Sequence, residues 1–136
     1  MKLILILWKY NLEMSNLTYA IIEKTEVNMN KIFPINISGQ IITIEKAIAT
    51  FSDIIAFVNE HFNATIKRYK VALFVYKSIL NSFKGIQDRK PSKEDYKLAV
   101  DVLEEILNYN ESDEQRKFQN KRNCEICKEV IEKCYK

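Results

Sequence analysis

Between Gln40 and Lys84 the chain runs 45 residues without a glycine or a proline, and its large apolar side chains recur at helical spacing. Ile44, Ile48, Phe51, Ile55, Val58 and Phe62 step by 4, 3, 4, 3, 4, and after a second step of four, Ile66, Tyr69, Leu73, Tyr76, Leu80 and Phe83 step by 3, 4, 3, 4, 3. Side chains at those intervals share one face of an α-helix. A single helix of about 42 residues within this stretch would be about 63 Å long at 1.5 Å per residue. A compact chain of this length has a diameter of about 37 Å by the usual scaling of size with chain length, so about two fifths of such a helix would project. Either the helix bends back near 61–65, where the apolar step falters, or it projects and needs a partner. The step of four from Phe62 to Ile66 is the spacing of a stutter, which a continuous helix or a kink can absorb.

The segments 54–58 and 71–76 are apolar all the way round, and a helix of that kind must be surrounded. Two further helical stretches follow. One starts after Pro91, with Ser92 as N-cap and Asp95 three residues on in a capping-box pattern, and runs out at 108–110. The other starts at Ser112 with Gln115 three residues later and reaches Cys134, with Asn123 a candidate break. Gly85 closes the long stretch at a C′-like position.

Residues 1–42 read differently. Leu3–Trp8 reads as a short buried strand, and 17–24 as a strand or a helix turn. Ile32–Ile37 and Ile41–Thr43 flank Ser38-Gly39 and Gln40 as a hairpin, with Pro34 demoting its first arm to an edge strand. Met14 makes a second credible start site. The expected fold is mainly α in one domain over 1–136, with a small β element in 1–42. A three- or four-helix bundle with a long central helix, kinked near 61–65, occupies 43–136. Only two glycines and two prolines argue against a loop-rich or all-β chain. The abundance of Ile, Lys, Asn and Tyr, all specified by AT-rich codons, reports a genome rather than a function. Small proteins of AT-rich cells, viruses and mobile elements share it.

The apolar run 3–8 is too short for a signal peptide and lacks a small-residue cleavage site. No run approaches the 18 or so apolar residues of a transmembrane span. The expectation is an intracellular protein, in the host cytoplasm if viral, with no membrane partner.

Cys124, Cys127 and Cys134, with Ile131 between, step by 3, 4, 3 and face one way. Cys-x-x-Cys is a metal or dithiol spacing, but structural zinc takes four ligands and the single histidine, His61, is far off in sequence. A redox pair needs a helix N-terminus to lower its thiol pKa, which Asn123 as N-cap would supply. The plainer reading makes the cysteines small hydrophobes completing a stripe. His61 has neither a nucleophile motif nor an orienting carboxylate pattern around it, and reads as a surface residue at the kink. No catalytic, cofactor or metal residue is assigned, and no cofactor is expected.

Charge is segregated. Residues 66–93 carry Lys67, Arg68, Lys70, Lys77, Lys84, Arg89, Lys90 and Lys93 against Asp88 alone, a net +7; residues 94–114 net −7, and 115–136 net +4. The basic residues Lys67, Arg68, Lys70, Lys77, Lys84, Arg89, Lys90, Arg116, Lys117, Lys121 and Arg122 are candidate contacts for nucleic acid or an acidic partner, with Phe118 and Tyr69 as rings to stack on bases. Lysine outnumbers arginine, which limits bidentate contacts, and the acidic block is available to neutralise the basic ones. Lys70, Lys77 and Lys84 recur every seven residues beside the apolar stripe, as charges flanking a helix seam do.

The reading that follows is a non-enzymatic, self-associating interaction module: a small regulator, inhibitor or structural protein of a virus or mobile element. Its seam is Ile66, Tyr69, Leu73, Tyr76, Leu80 and Phe83, and its partner is itself, another protein, or both. The alternative is a nucleic-acid-binding protein using the basic surfaces at 66–93 and 116–122. A second alternative is metal or redox chemistry on Cys124, Cys127 and Cys134.

Overall fold

The computed structural model describes residues 32–86 and 89–135. Two short strands, β1 (Ile35–Ile37) and β2 (Gln40–Ile42), precede four helices: α1 (Ile44–His61), α2 (Lys67–Phe83), α3 (Lys93–Leu107) and α4 (Glu114–Tyr135). The chain is therefore a mainly-α bundle with a small antiparallel β element. The expected elements at 3–8 and 17–24, and the alternative start at Met14, lie outside the described residues.

Ser38 and Gly39 sit at φ 52° and 84°, the two positive values of a type I′ turn, so a two-residue loop closes the hairpin. The Asn36 side chain accepts a hydrogen bond from the Gly39 amide at 2.9 Å. Ile35 pairs with Ile42, and both side chains enter the core. The first strand begins at Ile35, not Ile32, because Pro34 has no amide to donate to a ladder.

The long apolar stretch is two helices, not one. α1 begins at Thr43, whose hydroxyl accepts from the Lys46 amide, and it ends at His61. Asn63 then offers the backbone an alternative to helix. Its side-chain oxygen accepts from the Thr65 amide at 3.0 Å and the Thr65 hydroxyl at 2.6 Å. The Ile66 amide bonds back to the Asn63 carbonyl. The stutter thus becomes a reversal, and α2 returns along α1.

α2 closes with the Ile86 amide on the Asn81 carbonyl and the Gly85 amide on the Ser82 carbonyl, a Schellman motif with Gly85 at φ 74°. At the start of α3 the Ser92–Asp95 capping box forms in both directions. α4 is capped by Asp113 rather than Ser112, its carboxylate accepting from the amides of Gln115 and Arg116. Asn123 does not break α4: it is buried at mid-helix and accepts from the Gln119 amide group one turn earlier.

Packing closes a ring. α2 packs on α1 and α3, and α4 packs on α3 and α1, so α2 and α4 stand at opposite corners. The shared core contains Phe51, Ile54 and Val58 of α1, Val75 and Tyr76 of α2, Val102, Leu103 and Ile106 of α3, and Ile126, Val130 and Ile131 of α4. Tyr76 is fully buried, and its hydroxyl donates to the Ala99 carbonyl at 2.6 Å. Burial holds that phenol protonated well above its ordinary range. Within the apolar segments 54–58 and 71–76 every residue except exposed Ala56 is buried or half-buried in the bundle.

Candidate nucleic-acid interface and the exposed face of helix α4

The six residues of the expected seam divide by burial. Tyr69, Leu73 and Tyr76 are buried, Leu80 and Phe83 are half-buried against the core, and only Ile66, at the N-cap of α2, is exposed. Phe83 lies with its ring 5.5 Å from that of Phe33 and 6.0 Å from that of Phe51. The stripe holds the bundle together from within, leaving it covered rather than free.

The basic residues divide too. Arg68 is engaged: its guanidinium donates to both carboxylate oxygens of Glu105, at 3.0 and 3.2 Å, and to the Tyr69 hydroxyl at 2.8 Å. Tyr69 in turn donates to Glu105 at 2.6 Å. Burial alone would push the Glu105 carboxyl up, but the hydrogen bonds from Arg68 and Tyr69 and the guanidinium charge outweigh it and hold the carboxyl below its ordinary range. Glu105 therefore does not point into solvent with Glu94, Asp101 and Glu104; it faces α2 and clamps the first turn of that helix to the end of α3. The Tyr69 ring stacks on Phe62 at 4.8 Å, which removes it as a surface for bases.

Lys67, Lys70, Lys77 and Lys84 are exposed and form no ion pair among the described residues. α2 carries no acid anywhere from Lys67 to Phe83. Its N-cap, Ile66, supplies no side-chain hydrogen bond, and its first turn carries three cations, Lys67, Arg68 and Lys70, around Tyr69. Cations there oppose the helix dipole, whereas α1, α3 and α4 each place an acid in that turn. Beside the lysines, the Arg89 guanidinium lies 4.4 Å over the Phe74 ring. From Lys67 to Lys84 this strip is about 25 Å long at the helical rise.

The second basic group lies on the opposite corner. Arg116, Lys117 and Lys121 are exposed on the first half of α4, and Arg122 bonds the Gln40 side chain of the hairpin. The two basic stretches therefore form separate surfaces. Lys90 is exposed, with its charge near Cys134. Phe118 is 68 % exposed, the most exposed large hydrophobic of the described chain, and Leu107 is 38 % exposed nearby. Both line a groove of about 240 Å³ between the end of α3 and the start of α4, with Tyr109, Glu111, Lys117 and Lys121. Glu114, Phe118, Lys121 and Glu125 step by 4, 3, 4 along the outer face of α4, opposite the cysteine stripe. That outer stripe was readable in the sequence but is masked there by the inward one.

Cys124 and Cys127 are buried and Cys134 is half-buried, all as free thiols. Cys124 donates weakly to the Leu103 carbonyl. Burial pushes the Cys124 thiol up to about 12 and Cys134 up to about 11. With Asn123 inside the helix, no helix N-terminus lies at Cys124 to lower its pKa, so the premise for a reactive dithiol is gone. Among the described residues no group of three His, Cys, Asp or Glu is placed to hold a metal ion. His61 is not a free surface residue: its ring packs 4.3 Å from Phe57, and Nδ1 lies 3.1 Å from the Tyr109 hydroxyl. No described helix is long and apolar enough to cross a membrane. Comparison with protein-family models, with curated proteins and with solved structures finds no match for this chain.

Proposed function

We propose that the protein is a non-enzymatic binding module whose α2 face engages the phosphate backbone of a nucleic acid. The observation that carries this reading is the acid-free lysine strip: Lys67, Lys70, Lys77 and Lys84 exposed, unpaired among the described residues, and aligned on one helix. The acidic block of α3 neutralises only Arg68 of this group. Lys67 and Lys70, unpaired among the described residues beside the positive dipole end of α2, are unfavourably placed in isolation and favourably placed beside an anion. Lysines are point charges without a bidentate fork, so they position a backbone and do not read base sequence. The expected ligand is a nucleic acid bound with little sequence preference, in an intracellular setting that also suits three unpaired thiols.

Fluorescence anisotropy with a labelled duplex, titrated against salt, tests it. Four phosphates neutralised give a log–log slope of about −3.6, and Lys70→Gln with Lys77→Gln flattens it by about 1.8. Neither lysine is buried, so the variant folds and the comparison is clean. A slope that the double variant leaves unchanged refutes the reading.

The second reading is the self-associating interaction module. The covered seam no longer motivates it; the exposed Phe118 and Leu107 on the opposite corner do. A regulator or structural component of a virus or mobile element remains the kind of protein this reading describes.

A further inference from the structure

We infer that the outer face of α4, from Glu114 to Glu125, is a self-complementary surface that pairs with the same face of a second copy of this chain. The inference rests on the self-association reading and names its surface. Glu114 and Lys121 lie seven residues apart, two turns along one face, with Phe118 between them. A two-fold axis across α4 beside Phe118 lays two such helices antiparallel. Glu114 of each copy then meets Lys121 of the other, and the two Phe118 rings come together at the axis. One surface thus supplies both halves of the contact, which is the condition for a closed, isologous dimer.

Three observations favour this occupant. Phe118, 68 % exposed, is at the centre of the face and is the most exposed large hydrophobic among the described residues. Glu114, Lys117 and Lys121 form no ion pair among the described residues, so their charges are available to a partner. On this stripe Glu114 stands on the N-terminal side of Phe118 and Lys121 on the C-terminal side, and that pair is attractive in the antiparallel arrangement and repulsive in the parallel one. The groove beside Leu107 and Tyr109 adds apolar area at the margin. The contact spans little more than three turns of helix, which places the dimer in the weak, transient class. The lysine strip of α2, on the far corner, stays open in each copy.

Sedimentation equilibrium over a concentration series tests the assignment by charge reversal. The wild-type chain should approach twice its 16.1 kDa mass at high concentration. Glu114→Lys alone, or Lys121→Glu alone, turns two attractions into two repulsions and should weaken the dimer by about tenfold. The double variant Glu114→Lys with Lys121→Glu restores both pairs with their signs exchanged and should recover the wild-type constant. Phe118→Ser should weaken dimerisation by at least about tenfold. All three positions are exposed, so the fold is not at stake. A dimer indifferent to these changes overturns this surface and leaves self-association standing. A chain that stays monomeric throughout overturns both.

Discussion

The clamp among Arg68, Tyr69 and Glu105 makes a prediction with a definite sign in pH. Tyr69 donates to Glu105 at 2.6 Å and Arg68 to both of its carboxylate oxygens. The Glu105 side chain is 34 % exposed, so solvent screens part of the interaction. A hydrogen bond to a charged acceptor contributes about 1.5–3 kcal/mol and a neutral one about 1. Glu105→Gln keeps an acceptor for Tyr69 but loses the charge, so at neutral pH it should cost about 1 kcal/mol after screening. For a chain of this size that is a fall in melting temperature of about 3–4 °C. The Glu105 carboxyl is held below its ordinary range in the fold. Its contribution is therefore complete above the ordinary glutamate pKa and is lost as pH falls through the depressed folded value. Urea unfolding followed by circular dichroism from neutral to acid pH should show the wild-type advantage constant at first, then shrinking toward zero. Tyr69→Phe, alone and combined with Glu105→Gln, completes a double-mutant cycle that isolates the pair. Wild type and Glu105→Gln keeping a constant difference down to the acid limit, or no difference anywhere, would refute the clamp.

Leu73→Glu should abolish the cooperative unfolding transition rather than dissociate an oligomer, because Leu73 is 6 % exposed inside the bundle and a lone buried carboxylate costs several kcal/mol. A folded, soluble Leu73→Glu chain would place that residue at a surface after all. Disulfide-exchange labelling with an aromatic disulfide reagent near pH 8 should be slow for all three thiols in the native state, with half-buried Cys134 first, and complete on addition of denaturant. Fast native labelling of Cys127 would show that the end of α4 opens.

What the sequence made legible follows the range of the forces involved. The hairpin at Ser38–Gly39, the Ser92–Asp95 capping box and the Gly85 helix end each depend on neighbours within six residues and were legible, although the turn is tighter than read, with Gln40 in the second strand rather than in the loop. The reversal after His61 was one of two open outcomes. It is decided by Asn63 and Thr65, whose local hydrogen bonds compete with the helix while α2 gains a partner in α1. Seam and core were indistinguishable, because a stripe at helical spacing reports only that a face is covered, not by which chain. The clamp at Glu105 joins residues 37 apart and has no local signature. The same limit governed the two basic blocks. In sequence they look like one binding surface interrupted by acids, yet the ring order of the helices sets α2 and α4 at opposite corners. That separation turns one ambiguous charge pattern into two questions: an acid-free helix at one corner, and at the other a mixed-charge helix face with an aromatic at its centre. The second sets Glu114 and Lys121 on either side of Phe118, and that pair is the ground on which a second copy is proposed as its partner.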